Sequence, residues 1–99
     1  MAKQTVVRYT TKDSSASADN QRLIEAVFAE LAAEQPEGVR HYTVSRLDDG
    51  VSFVHVAVID GDANPLVNLK SFQAFSSTVS DRTIEPPVAV TGDVIAYHS

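Results

Sequence analysis

His55 is the residue best able to do chemistry. It stands inside an apolar run, Phe53-Val54-His55-Val56-Ala57-Val58, where a titratable imidazole is out of character with its neighbours. An imidazole changes charge near neutral pH, so in a pocket it serves as a proton acceptor or a hydrogen-bond anchor. At an interface the same ring is simply satisfied by a hydroxyl or a backbone carbonyl. Tyr9 and Tyr97 fall in strand-like runs near the two ends of the chain. Their phenols either hold a ligand oxygen or pack as core aromatics with the hydroxyl at the rim. Arg8, beside Tyr9, faces a carboxylate ligand or solvent. The candidate site is therefore His55 as catalytic base, with Tyr9, Thr43, Phe53 and Tyr97 as ligand-binding residues.

Other chemistries find little support. Histidines occur at 41, 55 and 98, without the i, i+4 pair that sets two imidazoles on one helix face. The run Asp60-Gly61-Asp62-Ala63-Asn64 looks superficially like a calcium loop, but its glycine comes second instead of sixth, and Ser71 stands where the closing glutamate belongs. No metal is expected. There is no G-x-S-x-G elbow, and the serines at 76, 77 and 80 suit an exposed helix face. The four glycines are too widely spaced for a phosphate loop or a dinucleotide fingerprint, and no cofactor is expected. Cysteine is absent, which removes disulfides and thiolate chemistry and fits a reducing, cytoplasmic compartment. Net charge is −5 with eight scattered basic residues, a poor footprint for nucleic acid. The segment Asp49-Gly50-Val51-Ser52-Phe53-Val54-His55-Val56 echoes the third-strand octamer of RNA-recognition domains. It offers one stacking aromatic only.

The elements that must position these residues read clearly. Thr5 to Thr11 is rich in β-branched residues and reads as a strand. Asp13 to Asn20 is small and polar, a loop offering several helix N-caps. Leu23, Ile24, Val27, Phe28 and Leu31 then recur at helical spacing, giving an amphipathic helix of about 16 residues that Pro36 and Gly38 stop. Val39 to Leu47 and Val51 to Ile59 form a hairpin about Asp48-Asp49-Gly50. Asn64-Pro65 opens a second helix with the stripe Leu66, Leu69, Phe72, Phe75 and Val79, closed by Asp81 and Arg82. Pro86-Pro87 leads into a last strand within Val88 to Tyr97. The order β-α-β-β-α-β predicts an α+β, ferredoxin-like domain over residues 1–99: a four-stranded antiparallel sheet with two helices on one face.

Two hairpin registers compete, because a one-residue slip exchanges the faces. A turn made by Asp49-Gly50 alone groups Phe53 and His55 with Tyr42, Val44 and Arg46. A three-residue loop pairs Leu47 with Val51, gathers Tyr42, Val44, Val54, Val56 and Val58 into a clean apolar face, and sets His55 opposite Thr43 with His41 in diagonal reach. The second separates apolar from polar better and is the preferred expectation.

The whole chain resembles the dimeric α+β barrel superfamily, in particular the antibiotic-biosynthesis-monooxygenase-like proteins. The likeness is carried by Phe53-Val54-His55-Val56-Ala57-Val58, the acidic loop after it, and Leu69-Lys70-Ser71-Phe72-Gln73-Ala74-Phe75. The stretch Asp81-Arg82-Thr83-Ile84-Glu85-Pro86-Pro87 is similar to a largely uncharacterised, actinobacterial-type branch. The resemblance implies a homodimer with sheets packed face to face and a small cavity between each sheet and its helices. Some members oxidise aromatic polyketides without metal or flavin, and others degrade haem. Tryptophan recurs in several active members and is absent here, so fold and dimer carry over but no catalytic residue does.

Such a dimer is physically reasonable. The uncovered sheet face presents roughly 350 Å². Burying two such faces yields on the order of 17 kcal/mol gross, against an association cost of about 4–15 kcal/mol. The expectation is a small homodimer resembling cofactor-independent monooxygenases that binds a small apolar or aromatic molecule, with neither nucleic acid nor membrane as partner. The alternative is a non-catalytic dimeric module for a ligand or a protein partner. The N-terminal run is too short and polar for a signal-peptide core, and no apolar stretch approaches the ~18 residues of a membrane span.

Overall fold

The β-branched run near the N-terminus forms β1 (Ala2–Thr10) in the computed structural model, which describes residues 2–61 and 63–98. The order continues α1 (Ser14–Glu34), β2 (Val39–Arg46), β3 (Ser52–Asp60), a single 3-10 turn (Pro65–Asn68), α2 (Lys70–Arg82) and β4 (Val88–Asp93). The strands form one antiparallel sheet in the order β2-β3-β1-β4. Residues of both helices, Ile24, Val27 and Phe75, join Tyr9, Phe53, Ala57 and Ile59 in one core cluster. Both helices therefore cover the same sheet face, the ferredoxin-like α+β arrangement.

Helix α1 is 21 residues long, several more than the apolar stripe implies. Ser14 to Asn20, read above as loop, is already helical. Asp13 is the N-cap, its Oδ1 accepting from the backbone N–H of Ala16 at 2.8 Å. The polar first turns are held by tertiary contacts: Ser17 Oγ donates to the carbonyl of Gly50 at 2.8 Å, and Asn20 is wholly buried. The helix ends at Gln35, in the left-handed region with φ 42° and its N–H bonded to Leu31 O.

The second helical segment is broken where the stripe predicts continuity. Asn64 caps the 3-10 turn, accepting from Leu66 N–H at 3.0 Å, with Pro65 at the first position. Leu69 is extended, and α2 starts afresh at Lys70. The new N-terminus is capped from the other helix: Glu30 accepts from Ser71 N–H at 2.8 Å and from the Ser71 hydroxyl at 2.5 Å. That contact ties α1 to α2 and places the phenylalanines of α2 over the sheet.

The hairpin corrects the preferred register. Val44 pairs with His55, Thr43 with Val56 and Arg46 with Phe53. The reason lies in the turn. Asp49 Oδ1 accepts from the N–H groups of Val51 and Ser52, Asp49 Oδ2 accepts from the Ser52 hydroxyl, and Leu47 N–H bonds Ser52 O. The chain thus rejoins the ladder at Ser52 instead of Val51, and every side chain of β3 turns to the other face. Tyr42 and Val44 share the helix side with Phe53, His55, Ala57 and Ile59. Val54, Val56 and Val58 face away.

The open face that results has an apolar row: Val6 lies between Val56 on β3 and Val90 on β4. Val88 and Val90 are each 65% exposed.

Asp13 accounts for the early start of α1, so Asp13→Ala is expected to destabilise the fold by about 1 kcal/mol. For a domain of this size that lowers the thermal midpoint by roughly 4–8 °C. A calorimetric midpoint unchanged within error would show that the cap does not hold the first turns.

Candidate functional site

The sheet register brings the polar residues of the core together. On β1 and β3, Val7 is opposite His55 and Tyr9 opposite Phe53, so Tyr9 reaches His55 along the diagonal. On β2, Val44 is opposite His55 and Tyr42 opposite Ala57, giving a second diagonal from the other side. The imidazole is therefore held between two phenols. Tyr9 Oη and His55 Nε2 are 2.6 Å apart, and Tyr42 Oη and His55 Nδ1 are 2.8 Å apart.

The helices extend this chain of hydrogen bonds. Asn20 of α1 donates from Nδ2 to Tyr9 Oη at 2.8 Å and accepts from Arg82 Nε at 3.0 Å. Arg82, the last residue of α2, also donates to Thr78 Oγ1 at 2.6 Å and to the Phe75 carbonyl at 3.2 Å. Its guanidinium lies 5.2 Å from the Phe75 ring centroid. One network, Arg82–Asn20–Tyr9–His55–Tyr42, thereby crosses the core, and no buried side-chain polar atom among the described residues lacks a partner.

Aromatic rings surround it. Tyr9 stacks on Phe53 at 5.6 Å, Tyr42 stacks on Phe28 at 4.9 Å, and Phe75 lies 5.3 Å from His55. Burial sets the protonation states. It lowers the His55 pKa to about 4 and raises Tyr9 to about 12, the latter opposed by the Asn20 hydrogen bond and the Arg82 charge. Tyr42 is pushed up by burial and by Tyr9, and burial draws Arg82 down. At neutral pH His55 is neutral and both phenols keep their protons.

Of the expected site residues, Tyr9, Phe53 and His55 are brought together. Thr43, expected opposite His55, is exposed on the open face because the register differs from the preferred one. His41 is exposed and pairs with Val58. Tyr97 lies beyond the end of β4 and is 62% exposed, so it does not join them. Three network members, Tyr42, Asn20 and Arg82, lie outside the expected set. Tyr42 was legible through the alternative Asp49-Gly50 register, which groups it with His55. Asn20 and Arg82 looked like a loop residue and a helix terminus. They meet only because α1 starts early and packs on the end of α2.

Several surface depressions are lined in part by these residues: Tyr9, Tyr42, Phe53 and Arg82 each border one. One, of about 560 Å³, lies on the open face, lined by Val6, Arg8, Tyr9, Ile84, Val88 and Val90 among others. A second, of about 310 Å³, has Tyr42 in its wall with Leu31, Gln35, Pro36 and Val39. Among the described residues no three His, Asp or Glu side chains cluster as metal ligands would, and no helix is long and apolar enough to cross a membrane.

The buried neutral imidazole makes a definite pH prediction. Its folded-state proton affinity is below that of the unfolded chain, near pKa 6.5, so unfolding takes up a proton. Stability from this group is complete above about pH 6.5 and is lost as pH falls through 4, by about 3 kcal/mol in all. Urea midpoints of the wild type and of His55→Gln between pH 7 and 4.5 check it: the wild type should lose more stability than the variant on acidification. Parallel curves would mean that His55 keeps an ordinary proton affinity.

No family model matches the sequence, and no curated protein matches it either. Solved structures do. The Mycobacterium tuberculosis protein Rv0793 superposes with a TM-score of 0.80 at 16% identity, covering 100% of both chains. A Nitrosomonas europaea protein provisionally described as an antibiotic biosynthesis monooxygenase gives 0.79 at 16% identity, over 95% of this chain and 90% of that one. A variant of SnoaB from Streptomyces nogalater, a cofactor-independent oxygenase, gives 0.73 at 16% identity over 97% and 95%. At such identities the likeness is one of fold, and the chain has the ferredoxin-like α+β fold seen in structures of antibiotic-biosynthesis-monooxygenase type.

Proposed function

We propose that the chain acts as a homodimer, two sheets packed into a dimeric α+β barrel, each subunit holding a small apolar or aromatic molecule between sheet and helices. The observation that carries this reading is the Tyr9–His55–Tyr42 clamp inside a shell of phenylalanines, a polar anchor in an aromatic setting. Phe53 and Phe28 supply apolar contact, and the hydroxyls supply the polar one. The valine row on the open face supports the dimer, since an exposed apolar sheet face is the surface a second copy would cover. With no cysteine to oxidise, such a protein suits the cytoplasm.

In its catalytic form the reading is a cofactor-independent oxygenase. His55 takes a proton from an aromatic ligand whose oxygen a tyrosine hydroxyl holds. The anion is oxidised by dioxygen with formation of a C–O bond, and the resulting peroxide regains the proton from His55. Loss of water leaves one oxygen atom on the ligand as a carbonyl. A second reading is favoured by a particular observation: both ring nitrogens of His55 are engaged, and burial draws its pKa to about 4, well below that of an efficient base at neutral pH. On that reading the same dimer binds its ligand, or a protein partner, without turnover.

Two measurements test these statements. Light scattering is expected to give a dimer mass, and Val90→Glu, which changes an exposed residue, should weaken association at least about 100-fold by burying unpaired carboxylates. A monomeric wild type at tens of micromolar would sink the barrel. Oxygen uptake with quinol-type aromatics in excess chelator, above their autoxidation rate and abolished in His55→Gln, supports the oxygenase; ligand binding without uptake supports the module.

A further inference from the structure

The hydrogen bonds crossing the core run in one direction, and Arg82 sets it. A guanidinium only donates. Arg82 Nε–H takes Asn20 Oδ1 as its acceptor, so the other end of that amide faces Tyr9 and donates to Tyr9 Oη. Tyr9 then has one proton to place, and His55 Nε2 at 2.6 Å is the acceptor beside it. With Nε2 bare, the neutral ring carries its proton on Nδ1, and that N–H donates to Tyr42 Oη at 2.8 Å. The spare proton of the whole chain ends on the Tyr42 hydroxyl.

The opposite tautomer is worse for a local reason. Tyr9 would accept from both Asn20 and His55, and its own proton would have no acceptor at a side chain only 5% exposed. Tyr42 is half-buried, the less enclosed of the two tyrosines, and is among the residues lining the depression of about 310 Å³. Stranding a buried donor favours the first arrangement by about 5- to 150-fold.

We infer that Arg82, through Asn20, fixes His55 as the Nδ1–H tautomer and turns the Tyr42 hydroxyl outward as the free donor of the site, so that the molecule bound there meets Tyr42 with an acceptor atom, a carbonyl-type oxygen. Asn20 and Arg82 are positioning residues, and Tyr42 is the specificity-determining one. The ligand half of this inference rests on the reading proposed above; the tautomer half does not.

Nitrogen NMR of the isotope-labelled protein at neutral pH reads the tautomer directly. The expected spectrum has His55 protonated at Nδ1 and bare at Nε2; the reverse overturns the inference. Asn20→Asp keeps the size of the side chain and its contact with Arg82 but presents Tyr9 with an acceptor. Tyr9 then donates to the carboxylate, accepts from Nε2–H, and the tautomer inverts. A folded Asn20→Asp with an unchanged His55 spectrum overturns the role of Asn20, and if that variant does not fold the wild-type spectrum still decides. For the ligand half, α-tetralone and its hydrocarbon counterpart tetralin are the probes. The wild type should bind the ketone about tenfold more tightly, a preference that Tyr42→Phe erases. Equal binding of the two by the wild type overturns the acceptor assignment. Binding of neither probe, beside a spectrum with the Nδ1–H tautomer, overturns the ligand-binding reading and leaves the tautomer standing.

Discussion

A neutral imidazole enclosed between two phenols is the interaction on which the rest of this structure depends. His55 is buried among phenylalanines, where an unsatisfied ring nitrogen would cost more than a typical hydrogen bond contributes. Satisfying both nitrogens demands that β1 and β2 flank β3, each carrying a tyrosine two residues out of step with the histidine. Satisfying Tyr9 in turn brings in Asn20, and satisfying Asn20 brings in Arg82. Three strands and both helices are thereby joined through five side chains. A network of this kind specifies one arrangement of the layers, since shifting any element by one residue leaves a buried donor or acceptor without its partner.

The same register that places His55 in the core sends the valines of β3 to the opposite side. The two properties are one consequence of strand alternation: if Phe53, His55, Ala57 and Ile59 point at the helices, then Val54, Val56 and Val58 cannot. The buried polar network and the apolar open face are therefore linked by the geometry of a single hairpin turn. Asp49 holds that turn with three hydrogen bonds.

Helix packing shows a parallel economy. Glu30 and Asp13 are both acidic residues off the apolar stripe, and both cap helices, one from a neighbouring helix and one from its own N-terminus. An exposed carboxylate looks the same in a sequence whether it meets water or a helix N-terminus. This is why the break at Leu69 and the early start at Ser14 both escaped the periodicity.

Much of the architecture was determined by the chain alone. Alternation and β-branching mark the strands, the stripe from Leu23 to Leu31 marks the first helix, and Asp48-Asp49-Gly50 marks the hairpin; together they impose the order β-α-β-β-α-β and the antiparallel sheet. His55 and Tyr9 were also visible as chemistry, because an imidazole in an apolar run and a phenol in a strand stand out locally. What the tertiary structure decided was which side chains meet. Turn length sets the face of a strand, and here it was Asp49 hydrogen bonding that fixed an even loop, exchanging Thr43 for Tyr42 beside His55. Asn20 and Arg82 lie 62 positions apart and touch only because both helices pack on one face. Local signals carry propensity and period, whereas a hydrogen-bond partner distant in sequence is selected by packing, which no single stretch of residues encodes.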